Sequence, residues 1–140
     1  MEFSNPAKKY RHAEHLVYSC QYHVIFCPKY RRPVLWSDND TRDERLKELF
    51  NHIADKYEFS ILDMEVMPDH VHLLIECNPE FGIMNCVRKL KRGTSRIMRQ
   101  EYPDLVTRLP NLWTRSAFIS TVGTVSLNTV KQYIRNQKGV

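Results

Sequence analysis

Alternation and helical periodicity divide the chain into seven predicted elements. "LVYSCQYHVIFC" is a β-branched and aromatic run that Pro28 stops, so a strand is expected near 16–27, followed by the basic loop "PKYRRPVL". Over 41–57, Leu46, Leu49, Phe50, Ile53, Ala54 and Tyr57 recur at helical spacing behind a Thr41–Glu44 capping box, which predicts a helix. "FSILDMEVMPDHVHLLIEC" predicts two strands joined by a tight turn at Pro68-Asp69, with His70 opening the second. A second helix is expected over Ile83 to Tyr102, then a proline-bounded loop, then a fourth strand within "LWTRSAFISTV". Gly123 breaks the chain, and "SLNTVKQYIRNQK" predicts a terminal helix with Ser126 as its N-cap. The first six elements follow the βαββαβ order of an α+β, ferredoxin-like fold, an antiparallel sheet with both helices on one face, and the C-terminal helix is added to it.

A chain of 140 residues is long enough to bury a core without staples, and a single domain over 1–140 is expected, with its core at about 16–122 and the final helix at about 125–138. The longest apolar stretch is interrupted by Ser19, Gln21 and His23, so no membrane span is predicted and a cytoplasmic setting is expected. Cys20, Cys27, Cys77 and Cys86 form no Cys-x-x-Cys pair and are read as small core residues, a disulfide or zinc site being the alternative.

A formal charge of +5 suits nucleic acid and also suits an ordinary soluble protein, so its distribution matters more. Between Gly82 and Gln100 there is no acid, while Lys89, Arg92, Arg96 and Arg99 recur at spacings of three and four, opposite Ile83, Val87, Leu90 and Ile97. One helix with an apolar face and a cationic stripe fits packing on a sheet while tracking phosphates, in preference to a merely solvated face. Lys29, Arg31 and Arg32 beside Tyr30 form a mix able to clamp phosphate and stack a base, or simply a basic loop.

Chemistry enters with "MPDHVHLLIE". Side chains alternate along a strand, so His70 and His72 share a face about 7 Å apart, where they either converge on an ion or are two satisfied imidazoles. His12 and His15 are a weaker pair near the terminus, and His23 reads as a satisfied strand residue. Tyr133 and Gln137 stand one helical turn apart, so a phenol and an amide share a face. Tyr133 is a nucleophile candidate or a residue packing the helix with Val130 and Ile134.

Taken together, "YHVIFCPKYRRPVL", "MEVMPDHVHLLIE", "LKRGTSRIMRQEYP", "LWTRSAFISTVGTVS" and "VKQYIRNQ" resemble, in order and over most of 16–137, the single-tyrosine transposases of the insertion-sequence 200/605 group, within the His-hydrophobe-His superfamily of single-strand nucleases. The resemblance implies that His70, His72 and Gln137 hold a divalent ion, magnesium or manganese. It implies that Tyr133 attacks the scissile phosphate of single-stranded DNA, leaving a 5′-phosphotyrosine link and a free 3′-hydroxyl. It further implies DNA hairpins near the element's ends as partners, and a homodimer in which the tyrosine helix completes the neighbouring subunit's site. The chain departs from the family pattern at Ser116-Ala117-Phe118, where Ser-Tyr-Phe is common, and at Gly93, displaced within "LKRG". Both departures bear on packing and DNA preference. The rival readings are a non-catalytic structured nucleic-acid-binding module and a replication initiator or relaxase of the same superfamily.

Overall fold

The computed structural model describes residues 10–122 and 127–140. Its strands are β1 (Arg11–Ala13), β2 (Leu16–Tyr18), β3 (Gln21–Phe26), β4 (Ser60–Met67), β5 (His70–Glu76) and β6 (Phe118–Thr121). Its helices are α1 (Arg42–Tyr57), α2 (Ile83–Glu101), the single turn α3 (Asp104–Thr107) and α4 (Leu127–Arg135). Four strands form an antiparallel sheet in the order β4-β5-β3-β6, which is the ferredoxin-like arrangement the element order predicts.

Alternation sorts the two faces of this sheet. Val24 and Phe26 of β3, Val71, Leu73 and Ile75 of β5 and Val66 of β4 are buried in one cluster with Leu46, Phe50 and Ile53 of α1 and with Val87, Leu90 and Met98 of α2. Phe26 lies edge-on to Phe50 and Trp113, with ring centroids 6.1 and 4.8 Å away. Removing these side chains from water is the main force holding helices to sheet. Gly93 lets α1 approach α2 closely, since a Cβ there would stand 2.6 Å from Ile53 Cδ1. The other parity puts Gln21, His23 and Ile25 of β3 and His70, His72, Leu74 and Glu76 of β5 on the opposite face.

Several expectations need adjustment. The strand predicted over 16–27 is two strands: β2 peels away to pair with β1, and β3 begins at Gln21. Glu76, nearly fully buried, fixes that departure by accepting from Arg11 Nε at 2.7 Å and Gln21 Nε2 at 3.3 Å. His12 and His15 therefore lie on a hairpin, with His15 at φ 62. Thr41 makes no side-chain cap. Asp40 Oδ1, one residue earlier, takes the Arg42 amide at 3.1 Å, and Asp40 and Asp104 together grip the buried Arg42 guanidinium. The fourth strand is short because the carbonyls of Thr114 and Ser116 accept from Lys91 Nζ at 2.9 and 2.8 Å instead of from a neighbouring strand. Gly123 and Ser126, the expected break and cap, lie outside the described residues. Cys27, Cys77 and Cys86 are buried and Cys20 is half-buried, all as thiols. Among the described residues no helix is long and apolar enough to cross a membrane.

Candidate active site

The hairpin β4–β5 turns through two residues, Pro68 and Asp69, with Met67 opposite His70. That turn sets Asp69 beside the imidazole that follows it, and His70 Nδ1 lies 2.9 Å from Asp69 Oδ1. A carboxylate only accepts, so the ring proton is on Nδ1 and the Nε2 lone pair is left for another partner. His72, two residues on, meets His23 from the adjacent strand: His72 Nε2 and His23 Nδ1 are 3.1 Å apart, one ring donating to the other. Burial, reinforced by the neighbouring His23, lowers the pKa of His72, and burial lowers that of His23. Both rings are thus biased toward the neutral form in which an imidazole can be a ligand.

Helix α4 lies over this same face. The Tyr133 ring packs on Phe118 of β6 with centroids 5.5 Å apart, which joins the two readings of Tyr133, since a packed ring still presents a hydroxyl. That hydroxyl donates to Ser116 Oγ across a long 3.4 Å, and Ser116 Oγ donates to Gln137 Oε1 at 2.9 Å. One hydroxyl therefore seats both the phenol and the amide. Burial raises the Tyr133 pKa, and the Ser116 contact partly offsets it. The Thr114–Ser116 segment is itself anchored by Lys91, whose ammonium, buried beside Phe26, has its pKa lowered to about 8. A second tie runs through Arg31, which donates from Nη1 to the Ile134 carbonyl at 3.0 Å and stands 3.3 Å, Nε to Oδ2, from Asp69.

Among the expected phosphate contacts, Arg92 and Arg96 are exposed along α2 and line a groove with Lys56, Tyr57 and Lys89 of the α1–α2 surface. Lys89 is half-buried, its ammonium 4.8 Å from the Tyr57 ring centroid, and Arg99 donates to the Leu109 carbonyl. Tyr30 and Arg32 are exposed and Lys29 is half-buried, whereas the Arg31 side chain is only 17% exposed and engaged within the chain.

A family model described as IS200-like transposase matches residues 16–137. The chain belongs to the IS200-like transposase family. Among its relatives, the ISDra2 transposase TnpA of Deinococcus radiodurans is 38% identical over 123 residues, covering 86% of each chain. The transposase for insertion sequence element IS200 of Salmonella typhimurium is 28% identical over 127 residues, 88% of this chain and 80% of that one. A crystal structure described as a transposase of D. radiodurans superposes with a TM-score of 0.81 at 33% identity, covering 93% of this chain and 99% of the other. A REP-associated tyrosine transposase solved with a REP hairpin shares the fold, with a TM-score of 0.54 and 13% identity over 90% of this chain and 67% of that one.

For this transposase, the donors suit a divalent cation in kind. His70 has the carboxylate partner that orients metal-bound imidazoles, His72 is biased toward neutrality, and Gln137 offers an amide oxygen. Among the described residues no group of three His, Cys, Asp or Glu gathers, so a third protein ligand would be of another type, as Gln137 would be. Its oxygen is held by Ser116 and does not bond to either imidazole, so the set would be completed by an exchange of that partner. His23, read from the sequence as a satisfied strand residue, is satisfied by His72 itself. Sequence reasoning gave no site role to Asp69, Ser116 or Lys91: Asp69 carried a faint signal in adjoining His70, and the roles of Ser116 and Lys91 depend on a segment folding back on α2.

Proposed function

We propose that this transposase cleaves and rejoins single-stranded DNA at hairpin-marked element ends, with Tyr133 as nucleophile. The observation that carries the reading is the common seat of the Tyr133 phenol and the Gln137 amide on Ser116, on the sheet face that bears His70 and His72. In the step, Tyr133 Oη forms a bond to the scissile phosphorus as the bond from phosphorus to the 3′ oxygen breaks. The phenolic proton is lost during attack and a proton is taken up by the departing 3′ oxygen, leaving a 5′-phosphotyrosine and a free 3′-hydroxyl. The phosphodiester energy is kept in the link, and reversal with a new 3′-hydroxyl rejoins DNA without ATP.

His70, His72 and Gln137 would hold magnesium or manganese, and the ion when bound supplies charge neutralisation at the phosphate. Imidazoles favour softer metals than magnesium, so manganese is chemically the more comfortable of the two. Hairpin DNA is assigned to Arg92 and Arg96 with Lys89 and Arg99 on α2, and the single strand to Lys29, Tyr30 and Arg32. A homodimer that exchanges α4 between subunits is part of this reading, and the docked α4 described above is then one of its two positions.

Incubation with manganese and labelled single-stranded DNA carrying a hairpin is expected to give a denaturation-resistant adduct, absent with Tyr133→Phe. His70→Ala and His72→Ala are expected to abolish cleavage and leave hairpin binding intact. Equal cleavage by the Phe variant would overturn the assignment, and hairpin binding without any cleavage by the wild type would leave a binding module.

A further inference from the structure

Arg31 sits in a single 3-10 turn, Lys29–Arg31, of unusual backbone: Tyr30 and Arg31 are consecutive non-glycine residues at φ 59 and 51. Left-handed conformations cost side-chain-bearing residues roughly 1 kcal/mol or more each, so two in succession need a structure that over-determines them. That structure is the end of the chain and its surroundings. Tyr30 N–H donates to the Val140 carbonyl at 2.8 Å, Arg31 N–H to the Pro28 carbonyl at 2.8 Å, and Lys29 N–H to the Leu112 carbonyl at 2.8 Å.

The result of this turn is where it aims the guanidinium. Nη1 reaches the Ile134 carbonyl in the last turn of α4, adjacent in sequence to Tyr133, where the helix dipole favours a cation. Nε stands 3.3 Å from Asp69 Oδ2, a largely buried ion pair without hydrogen-bond alignment, and the other oxygen of that carboxylate accepts from His70 Nδ1. One largely buried side chain thus touches both the helix carrying the phenol and the carboxylate that orients the first imidazole. We propose that Arg31 is a positioning residue that couples the seating of the tyrosine helix to the orientation of His70.

The coupling has a direction that chemistry dictates. With α4 seated, the guanidinium is fixed at one end, so Asp69 is fixed and the His70 ring is held with Nε2 free. With α4 displaced, Arg31 loses one of its two anchors and Asp69 gains freedom to turn from His70. A lysine offers a point charge and can serve one of the two partners, not both, because only the planar fork spans them. The inference rests on the reading of Tyr133 and His70 as site residues and concerns how they are brought into register.

The test uses the whole protein with Arg31→Gln, Arg31→Lys, Asp69→Asn and the Arg31→Gln/Asp69→Asn pair. Two readouts need no metal: the side-chain nitrogen resonances of His70, which report the Nδ1 proton, and amide exchange along α4. Arg31→Gln is expected to broaden or shift the His70 Nδ1 signal and to speed α4 exchange by about tenfold, the weight of one charge-assisted hydrogen bond, with α1 exchange unchanged. Asp69→Asn should shift His70 and also speed α4 exchange, the pair should add little to either single variant, and Arg31→Lys should restore one readout only. A third arm, manganese affinity by electron paramagnetic resonance, should weaken about tenfold in Arg31→Gln, as loss of an outer partner does. Faster α4 exchange with the His70 signal and manganese affinity unchanged would overturn the proposal and leave a plain helix clasp. Loss of hairpin binding alone would make Arg31 a phosphate contact instead. If the wild type binds no manganese, the reading of the metal ligands fails, while the coupling is still decided by the two resonance measurements.

Discussion

In the proposed function Ser116 is the pivotal residue, because a single hydroxyl holds the phenol that would attack and the amide that would ligate. Burial raises the Tyr133 pKa above the ordinary phenol value, and Ser116 partly counters this. Ser116→Ala removes the lowering contribution, so the single-turnover rate of adduct formation, which rises with pH as the phenol loses its proton, should begin its rise at higher pH than in the wild type, with Ser116→Thr restoring the profile. A pH–rate profile measured on preformed protein–DNA complexes checks this. Beneath Ser116, Lys91 has its pKa lowered to about 8 by burial, below the unfolded value of 10.5. Between these values the unfolded chain binds more protons than the folded one, so Lys91 makes stability rise with pH there and leaves a cost of burying charge below pH 8. Denaturant unfolding across this range should show a shallower slope for Lys91→Met. At this scale the sequence disclosed what strand parity and helical spacing disclose: His70 with His72, and Tyr133 with Gln137. It did not disclose Ser116 or Lys91, whose site partners lie 17 to 25 residues away across a return that no periodicity encodes.

Among the elements, α2 presents two unlike faces. Cys86, Val87, Leu90 and Met98 are buried against the sheet, and Arg92 and Arg96 are exposed on the far side. Each phosphate-contacting cation that is removed lowers the salt dependence of binding by about one in slope. Arg92→Gln combined with Arg96→Gln should therefore flatten the dependence of hairpin affinity on log salt by about 2, checked by binding titrations at several salt concentrations. Lys89 and Arg99, already engaged with the Tyr57 ring and the Leu109 carbonyl, should contribute less each. The long helices and the β4–β5 hairpin were legible because their patterns are sustained over many residues. The split of the first strand into β2 and β3 was not, since "LVYSCQYHVIFC" is continuously strand-like and only the buried Glu76 and its two partners settle where pairing changes. The N-terminus of α1 was misread for a related reason: Thr41 fits the capping pattern, but Asp40 has a charged partner in Arg42 and takes the amide.

At the scale of the molecule, the proposed function places its two tasks on two sides of the sheet. Its helix-covered side ends in the basic surface of α2, and its other side carries His70, His72 and the docked α4, so hairpin binding and strand cleavage are assigned to opposite sides of one layer. A strand reaching the histidine face from a hairpin held on α2 must pass the sheet's edge, which suits a flexible single strand and disfavours a duplex. The fold order was readable from the sequence because each of its core elements announces itself separately. The link that Arg31 makes between α4 and Asp69 was not readable, since it depends on Arg31 adopting a left-handed backbone that basic composition does not foretell.

The claim that everything else serves is that Tyr133 becomes joined to DNA. Trypsin cutting after Lys131 and Arg135 would isolate the peptide Gln132–Arg135 from the protein–DNA adduct once the DNA is trimmed by nuclease. Mass spectrometry of that digest should find the peptide carrying a 5′-linked nucleotide phosphate on its tyrosine. The same mass on a peptide containing any other tyrosine, or cleaved DNA with an unmodified Gln132–Arg135 peptide throughout the reaction, would contradict the account.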